Sequence, residues 1–600
     1  MFNKIFTNKN THIDSLIIAS LLLAALLLFS TNLDTLPLRD WDEGIVAQVA
    51  REITRKNWNW LYPTINNTPY LNKPPLVHWS IALVYNIAGV TELTARLFPA
   101  LFTTFSVPLI YSIARELFRP RTPAIFSALV YLTLLPVVRH GRLAMLDGAV
   151  LCFFLLMIWS VLRSRRNLRY SLAIGLSFAL LSLTKGIILG LLLGAIAFFF
   201  LLWDTPRLLR CKYFWGGILL GMLPVFLWYT AQFFHYGIEF FHANFFHQSL
   251  KRIWQPVGSH DGPIWYYLLE ILESTFPWQL FWFPGIYLSW KNRNLSWGKL
   301  VLVWSGIYLL AISLMNTKLP WYVLPIYPAF SLAVGTYLTE IWHQFPVDLG
   351  YFRFPAYQYP HTQGESKKHP KGIPTIYHRL VVAIFALLAL LAWVAWFYFS
   401  GIFHLGEENQ TKLDLYLRLI SITIALTMTI ATILLNQQDR QFLSILIWGT
   451  YLSLLLLVNS PHWSWELQED YPVKPVGEMI QKYTPPGQIV YSFDTKDRPS
   501  LNFYSDRLIK RVGPQKIQQQ WQSQSQPYLL VQESNLDNLT LENLKVLNTV
   551  KGWALVTREG KNRFTKVKSQ KSEVKSDILS RAYRSNIKAL TDIGFRQIMS

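Results

Sequence analysis

Apolar runs of about 18 to 22 residues recur along the first three quarters of the chain, a length that spans the hydrocarbon core of a bilayer as a helix. Backbone groups inside lipid must find partners within their own segment, so repeated runs predict a helical bundle and not a sheet. The pattern places spans at 14–33, 97–117, 122–138, 147–162, 170–184, 187–203, 214–234, 275–290, 300–316, 322–342, 379–400, 414–435 and 442–459, with a shorter apolar stretch at 76–90. The first run, 15–30, is long for the core of a signal peptide and no small-x-small cleavage pattern follows it, so it reads as a retained helix. Beyond residue 460 the apolar patches shorten to strand length, at 489–493, 528–532 and 553–557, and the polar stretch 476–483 between them suits a helix. This predicts a small α/β domain over 461–560, followed by a basic tail at 561–600.

Charge assigns the sides. The formal net charge is +21. In a membrane protein that excess reads as loops that set orientation and meet anionic headgroups, not as a nucleic-acid surface. Arg119 and Arg121, the group Arg163, Arg165, Arg166 and Arg169, the group Arg207, Arg210 and Lys212, and the pair Lys291 and Arg293 fall in alternate short loops, which the positive-inside rule puts in the cytoplasm together with Lys4 and Lys9. That alternation survives only if 76–90 does not cross, which leaves 13 spans, residues 1–460 as the membrane domain, and an extracytoplasmic C-terminal domain. The loop 34–75 and the short turns near 139–147 and 316–322 then lie outside with 235–270, while 343–378, rich in Pro, Tyr, Lys and His, is a cytoplasmic linker. Two cysteines, Cys152 and Cys211, with no CxxC pair, leave no basis for a disulfide framework or a thiolate zinc site.

The outer loops carry the chemistry. Loop 34–75 reads Arg39-Asp40-Trp41-Asp42-Glu43, then a helical stretch from Gly44 to Lys56, and closes on Tyr70-Leu71-Asn72-Lys73-Pro74-Pro75. Carboxylates where a helix meets the water–lipid boundary are partly desolvated and suit a general base; the alternative for Asp42 and Glu43 is a helix N-cap. Asp147 opens an apolar span, either as a functional carboxylate at membrane depth or as a charge on the helix dipole. Lys185, isolated between two apolar runs, either meets an anion or snorkels. Lys318 and Tyr322 lie in one outer turn, where an ammonium and a hydroxyl can both serve a phosphate, and Lys251 and Arg252 sit among aromatics in 235–270. Several cations and three carboxylates on one face fit an anionic lipid-linked donor and an acceptor that loses a proton.

The run Asp42-Glu43, Ala50-Arg51-Glu52, Tyr70-Leu71-Asn72-Lys73-Pro74-Pro75-Leu76 and Ala95-Arg96-Leu97 resembles bacterial aminoarabinose transferases of lipid A and the wider protein O-mannosyltransferase group. Leu146-Asp147, Thr184-Lys185-Gly186 and Lys318-x-x-x-Tyr322-x-x-Pro325 resemble later motifs of the same group, and the resemblance covers about residues 15–335. It implies a GT-C helical bundle in a bacterial cytoplasmic membrane and transfer from a polyprenyl-phosphate sugar on the periplasmic side. It also implies Asp42 as the catalytic carboxylate with Glu43 beside it, and Asp147 as a supporting carboxylate. Tyr70, Lys73, Lys185, Arg252 and Tyr322 are implied as donor-phosphate contacts, with Lys318 in the same motif. Two departures are Ile45, where an arginine is common, and Asn72, where an acid is common; they imply a related but not identical pocket. No counterpart of a relative's metal site is evident, so no metal or other cofactor is expected. The acceptor expected is a lipid A-like glycolipid or related envelope glycan reached by inverting displacement, with a protein Ser/Thr acceptor as the alternative. A secondary transporter would carry charges at mid-span and matched broken helices, whereas the charges here gather at span ends.

Overall fold

The computed structural model describes residues 2–559 apart from 56–58, 259, 346, 349–352, 355–374, 402–414, 464–471, 494–496 and 537–540. The expected basic tail 561–600 and most of the linker 343–378 therefore lie outside the described residues. The chain divides into two compact units, Met1–Tyr471 and Pro472–Ser600.

The first unit is helical. Nine described helices are long and apolar enough to cross a membrane, ten if the pair Thr122–Leu132 and Leu135–Gly141, bent by 58°, is one span. Three further expected spans coincide with the helices Ser171–Lys185, Gln279–Lys291 and Tyr327–Gln344, which are shorter or less apolar. Tyr327–Gln344 is walled by protein on nearly every side, so its faces need not match lipid. Lipid-type faces show where leucines stand outward, as at Leu219, Leu220, Leu390 and Leu391. The stretch at 76–90 forms the helix Leu76–Ala88 of 13 residues, about 20 Å long at 1.5 Å per residue and so shorter than a hydrocarbon core of about 30 Å. Helix Asp147–Ser164 packs against Glu92–Leu117 so closely that a Cβ on Gly148 would lie 2.7 Å from the Pro99 carbonyl oxygen, which makes glycine the residue that fits there.

A small hairpin, β1 (Thr64–Ile65) with β2 (Thr68–Pro69), follows the helix Asp42–Arg55. Its turn holds Asn66 and Asn67 at φ of 52° and 63°, the left-handed pair that a tight two-residue hairpin needs and asparagine tolerates. Glu52 fastens it: the buried carboxylate accepts from the Thr64 hydroxyl at 2.6 Å and from the Asn66 and Asn67 amides. The hairpin thereby delivers Tyr70 to Lys73 to a defined place. A second pair, β3 (Val347–Asp348) with β4 (Arg353–Phe354), is antiparallel.

The second unit is the small α/β domain the pattern predicts. Strands β5 (Ile489–Ser492), β6 (Leu508–Arg511), β7 (Tyr528–Gln532), β8 (Leu544–Val550) and β9 (Trp553–Arg558) order as β6-β5-β7-β9-β8. β5 is parallel to β6 and β7; β9 is antiparallel to β7 and β8. Leu529, Val531, Ala554 and Val556 pack against Ile517 and Trp521 of the helix Pro514–Ser523. β6 and β8 escape the sequence reading because they are edges: their residues are mostly half-exposed or exposed, and polar side chains interrupt the apolar pattern.

Candidate active site

Asp42 and Glu43 open the helix Asp42–Arg55, where acidic side chains meet the positive end of the helix dipole. Their environments differ. Glu43 is fully buried and Arg96 grips both of its oxygens, Nε to Oε1 at 2.7 Å and Nη2 to Oε2 at 2.7 Å. The amides of Arg39 and Ala144 donate to the same carboxylate at 3.0 and 2.7 Å. Burial alone would raise the Glu43 carboxyl; Arg96 and the two amides outweigh it and hold it below the ordinary value. Arg96 also donates to the carbonyls of Leu33, Leu36 and Pro37 at 2.7 to 2.9 Å. Glu43 is thus a frame member that ties loop 33–39, Arg96 and the turn before Asp147 together, and not a group with a lone pair to spare for chemistry.

Asp42 is half-buried and sits beside that frame. Burial pushes its carboxyl up to about 6; Arg39 and His140 oppose the rise, Asp147 and Glu43 add to it. Asp147, in the first turn of its helix, accepts from Lys185 Nζ at 2.6 Å. Lys185 ends the helix Ser171–Lys185, which stops there because Gly186 takes φ +109°, and its ammonium also lies 5.7 Å over the ring of Tyr322. The Tyr322 hydroxyl in turn accepts from Arg252 Nη1 at 2.7 Å. Arg252 gives its other amino group to Gln248 Oε1 at 2.7 Å, and its Nε is buried with no partner among the described residues.

Lys73 completes the group. Burial, then the charges of Arg252 and Lys185, push its ammonium down to about 7, with Asp147 opposing. Tyr70, buried and packed edge-on to His78 at 5.3 Å, has its phenol raised by burial with Arg252 opposing, so it shares the same corner. Asn244 reaches from the other wall to the carbonyls of Leu71 and Asn72 at 3.3 and 3.4 Å and accepts from Tyr229 at 3.2 Å. An apolar groove of about 340 Å3, lined by Ile187, Phe226, Tyr229, Phe233, Phe241 and Phe245 among others, begins two residues from Lys185.

The structure therefore brings together Asp42, Asp147, Tyr70, Lys73, Lys185, Arg252 and Tyr322. It sets Lys318 apart: its buried ammonium donates to the carbonyls of Ile312, Ser313 and Met315, where the helix Ser296–Leu314 ends. A cation on the last carbonyls of a helix is held by the dipole and by three acceptors, so Lys318 is a cap and not one of the converging charges. Sequence reasoning gave Arg96 only as part of the Ala95-Arg96-Leu97 motif, with no role, and did not single out Asn244 or Gln248. The one signal available was Arg96 itself, an arginine one turn into an apolar helix, which must find a partner at that depth. Among the described residues no three His, Cys, Asp or Glu side chains gather into a metal-binding group.

Three half-buried or buried cations within reach of one another repel, and an arrangement that depresses a lysine is stabilised by an anion placed among them. Comparison with known proteins agrees in fold and segment. A family model described as dolichyl-phosphate-mannose-protein mannosyltransferase matches residues 72–229. An uncharacterised protein of Aquifex aeolicus is 29% identical over 325 residues, 53% of this chain and 63% of that one. An undecaprenyl phosphate-alpha-4-amino-4-deoxy-L-arabinose arabinosyl transferase of Pseudomonas fluorescens is 28% identical over 307 residues, 50% of this chain and 55% of that one. The chain thus spans less than two thirds of the length of these curated relatives. The crystal structure of ArnT from Cupriavidus metallidurans bound to undecaprenyl phosphate superposes with a TM-score of 0.69 at 18% identity, covering 91% of this chain and 98% of that one. This multi-pass membrane protein thus shares the fold of that solved structure over most of both chains, and its residues 72–229 are similar to the mannosyltransferase family model.

Proposed function

We propose that the chain transfers a sugar from a polyprenyl-phosphate carrier to an acceptor on the outer face of a bacterial cytoplasmic membrane. The observation that carries this reading is the convergence of Lys73, Lys185 and Arg252, with Tyr322 and Tyr70, on the carboxylates Asp42 and Asp147. A phosphodiester donor loses a phosphate monoester as its sugar departs, so negative charge grows on the carrier phosphate. Cations fixed where that charge appears stabilise the transition state more than the ground state. The apolar groove beside Lys185 suits the first isoprene units of the carrier, which would run from the phosphate into lipid.

On the other side, Asp42 stands as base or orienting group for the acceptor oxygen, and attack opposite the departing phosphate inverts the anomeric carbon. Asp147 holds Lys185 in place through their 2.6 Å contact and keeps one cation of the cradle from swinging away. The acceptor bond forms as the sugar–phosphate bond breaks; the acceptor proton passes to Asp42, and the electron pair leaves on the carrier phosphate. Undecaprenyl-phosphate aminoarabinose is the first donor to test, on the likeness to the Pseudomonas enzyme. A dolichyl-type mannose donor and a protein hydroxyl form the second reading, which the family model over 72–229 favours. A carboxylate near 6 suits a hydroxyl acceptor better than a phosphate, which is already an anion.

The test is direct. Purified protein incubated with undecaprenyl-phosphate aminoarabinose, and separately with polyprenyl-phosphate mannose, is expected to release carrier phosphate from one of them when acceptor is present. No release from any polyprenyl-phosphate sugar sinks the reading. Lys73→Met should weaken donor binding by about 10- to 100-fold, the worth of one charge-assisted contact. Titration with undecaprenyl phosphate measures it, and unchanged affinity would take Lys73 out of the cradle.

A further inference from the structure

Below the two carboxylates lies a group that the transfer reading does not use. After the helix Gln441–Val458 the chain turns inward, and Trp463 is buried to 1% exposure. Two guanidinium groups lie over its ring, that of Arg142 at 4.8 Å and that of Arg96 at 5.4 Å from its centre. Both arginines are themselves buried, at 0% and 1% exposure. Arg96 is the fork that holds Glu43. Arg142 donates to the carbonyls of Leu28 and Thr31 at 2.6 Å and reaches that of Val458 at 3.4 Å, so it closes the ends of two helices at once. Two buried cations near each other repel, and the electron-rich face of an indole is the neutral surface on which both can rest.

The indole also packs against Leu143 and Met145, with Leu36, Trp321 and Leu457 around it. Leu36 belongs to the loop that leads to Asp42. Met145 stands two residues before Asp147. Trp321 precedes Tyr322. One side chain therefore floors the three short segments that carry the proposed base, the carboxylate behind Lys185 and the hydroxyl beside Arg252. It comes from a part of the chain more than 200 residues beyond the end of the matched family segment at 229. With the Val458 carbonyl and Leu457, the indole links the end of the last span to the segments that carry the two carboxylates.

We infer that Trp463 is a positioning residue for sugar transfer, which sets Asp42 and Asp147 against the cation cradle through Arg96, Arg142 and the turn 142–147. The inference rests on the transfer reading above. A misplacement of the base by about 1 Å costs about 100-fold in rate, while the carrier phosphate is held by cations on other segments and binds as before. Trp463→Leu in the full-length protein is expected to lower kcat by 10- to 100-fold with the affinity for undecaprenyl phosphate unchanged. Trp463→Phe keeps an aromatic face under the arginines and should stay within a few-fold of the unaltered chain. Rescue by the aromatic ring and the split between kcat and carrier binding are what a merely space-filling role would not produce. The proposal is overturned if Trp463→Leu turns over at the original rate, if Phe and Leu fail equally, or if Leu loses carrier binding along with transfer. An unaltered chain that releases no carrier phosphate overturns the transfer reading and this inference with it, so the two failures are distinguishable.

Discussion

Replacing Asp42 with asparagine is expected to abolish transfer while leaving undecaprenyl phosphate bound as tightly as before. The amide keeps the shape and the hydrogen-bonding reach of the carboxyl but takes up no proton, and loss of a positioned base costs about 100- to 10,000-fold. The same carboxyl sets one limb of the pH profile. Burial pushes Asp42 up to about 6, so the basic form is lost as pH falls through that value and kcat/KM declines on the acid side. Lys73, pushed down to about 7 by burial and by Arg252 and Lys185, loses its charge as pH rises through that value, and kcat/KM declines on the alkaline side. The free enzyme should therefore show a narrow optimum between 6 and 7. Because a bound phosphate favours the ammonium, the alkaline limb of kcat should lie higher than that of kcat/KM. Turnover of Asp42→Asn at the original rate, or an acid limb near 4, would remove Asp42 from the mechanism.

The second large effect is on the frame. Arg96→Met should destabilise the membrane unit by about 3–5 kcal/mol, the range for breaking a buried ion pair from one side. The variant strands the Glu43 carboxylate at 0% exposure with two backbone amides as its remaining described donors, and leaves the carbonyls of Leu33, Leu36 and Pro37 without the fork. Arg96→Lys should recover little, since an ammonium cannot place two parallel donors on one carboxylate and three more on the loop. Resistance to unfolding in mixed detergent reads the effect. If Arg96→Met unfolds with the same midpoint, the pair is ornamental and the separate roles of Asp42 and Glu43 fall together.

Much of the membrane unit was legible because bilayer solvation writes it into local sequence: a helix that meets lipid must be apolar for its whole length. The break between Thr122–Leu132 and Leu135–Gly141 was not, since 122–138 reads as one apolar run. Pro136 explains it in retrospect, as it has no N–H to continue the ladder from the first helix and is tolerated only in the first turn of a new one. The candidate site divides in the same manner. Asp42, Lys73 and Asp147 stood out because polar residues beside spans are costly. Glu43 found its arginine 53 positions away, a pairing that no local period announces. Lys318 shows the reverse error: in sequence, a lysine that caps a helix and a lysine that awaits a phosphate look alike, and only the three carbonyls around its ammonium separate them.

The dryness of the Glu43–Arg96 pair has a practical side. With side chains 0% and 1% exposed, it is out of reach of dissolved ions, whereas Lys73, Lys185 and Arg252 are half-buried and face the place where a carrier phosphate would lie. Added electrolyte screens charges that meet water, over about 3 Å at 1 M, and leaves enclosed ones nearly untouched. Strong salt should therefore wash a co-purified lipid phosphate from the protein without loosening the loop that carries Asp42, which offers a mild route to empty protein that is ready for reloading with chosen donors.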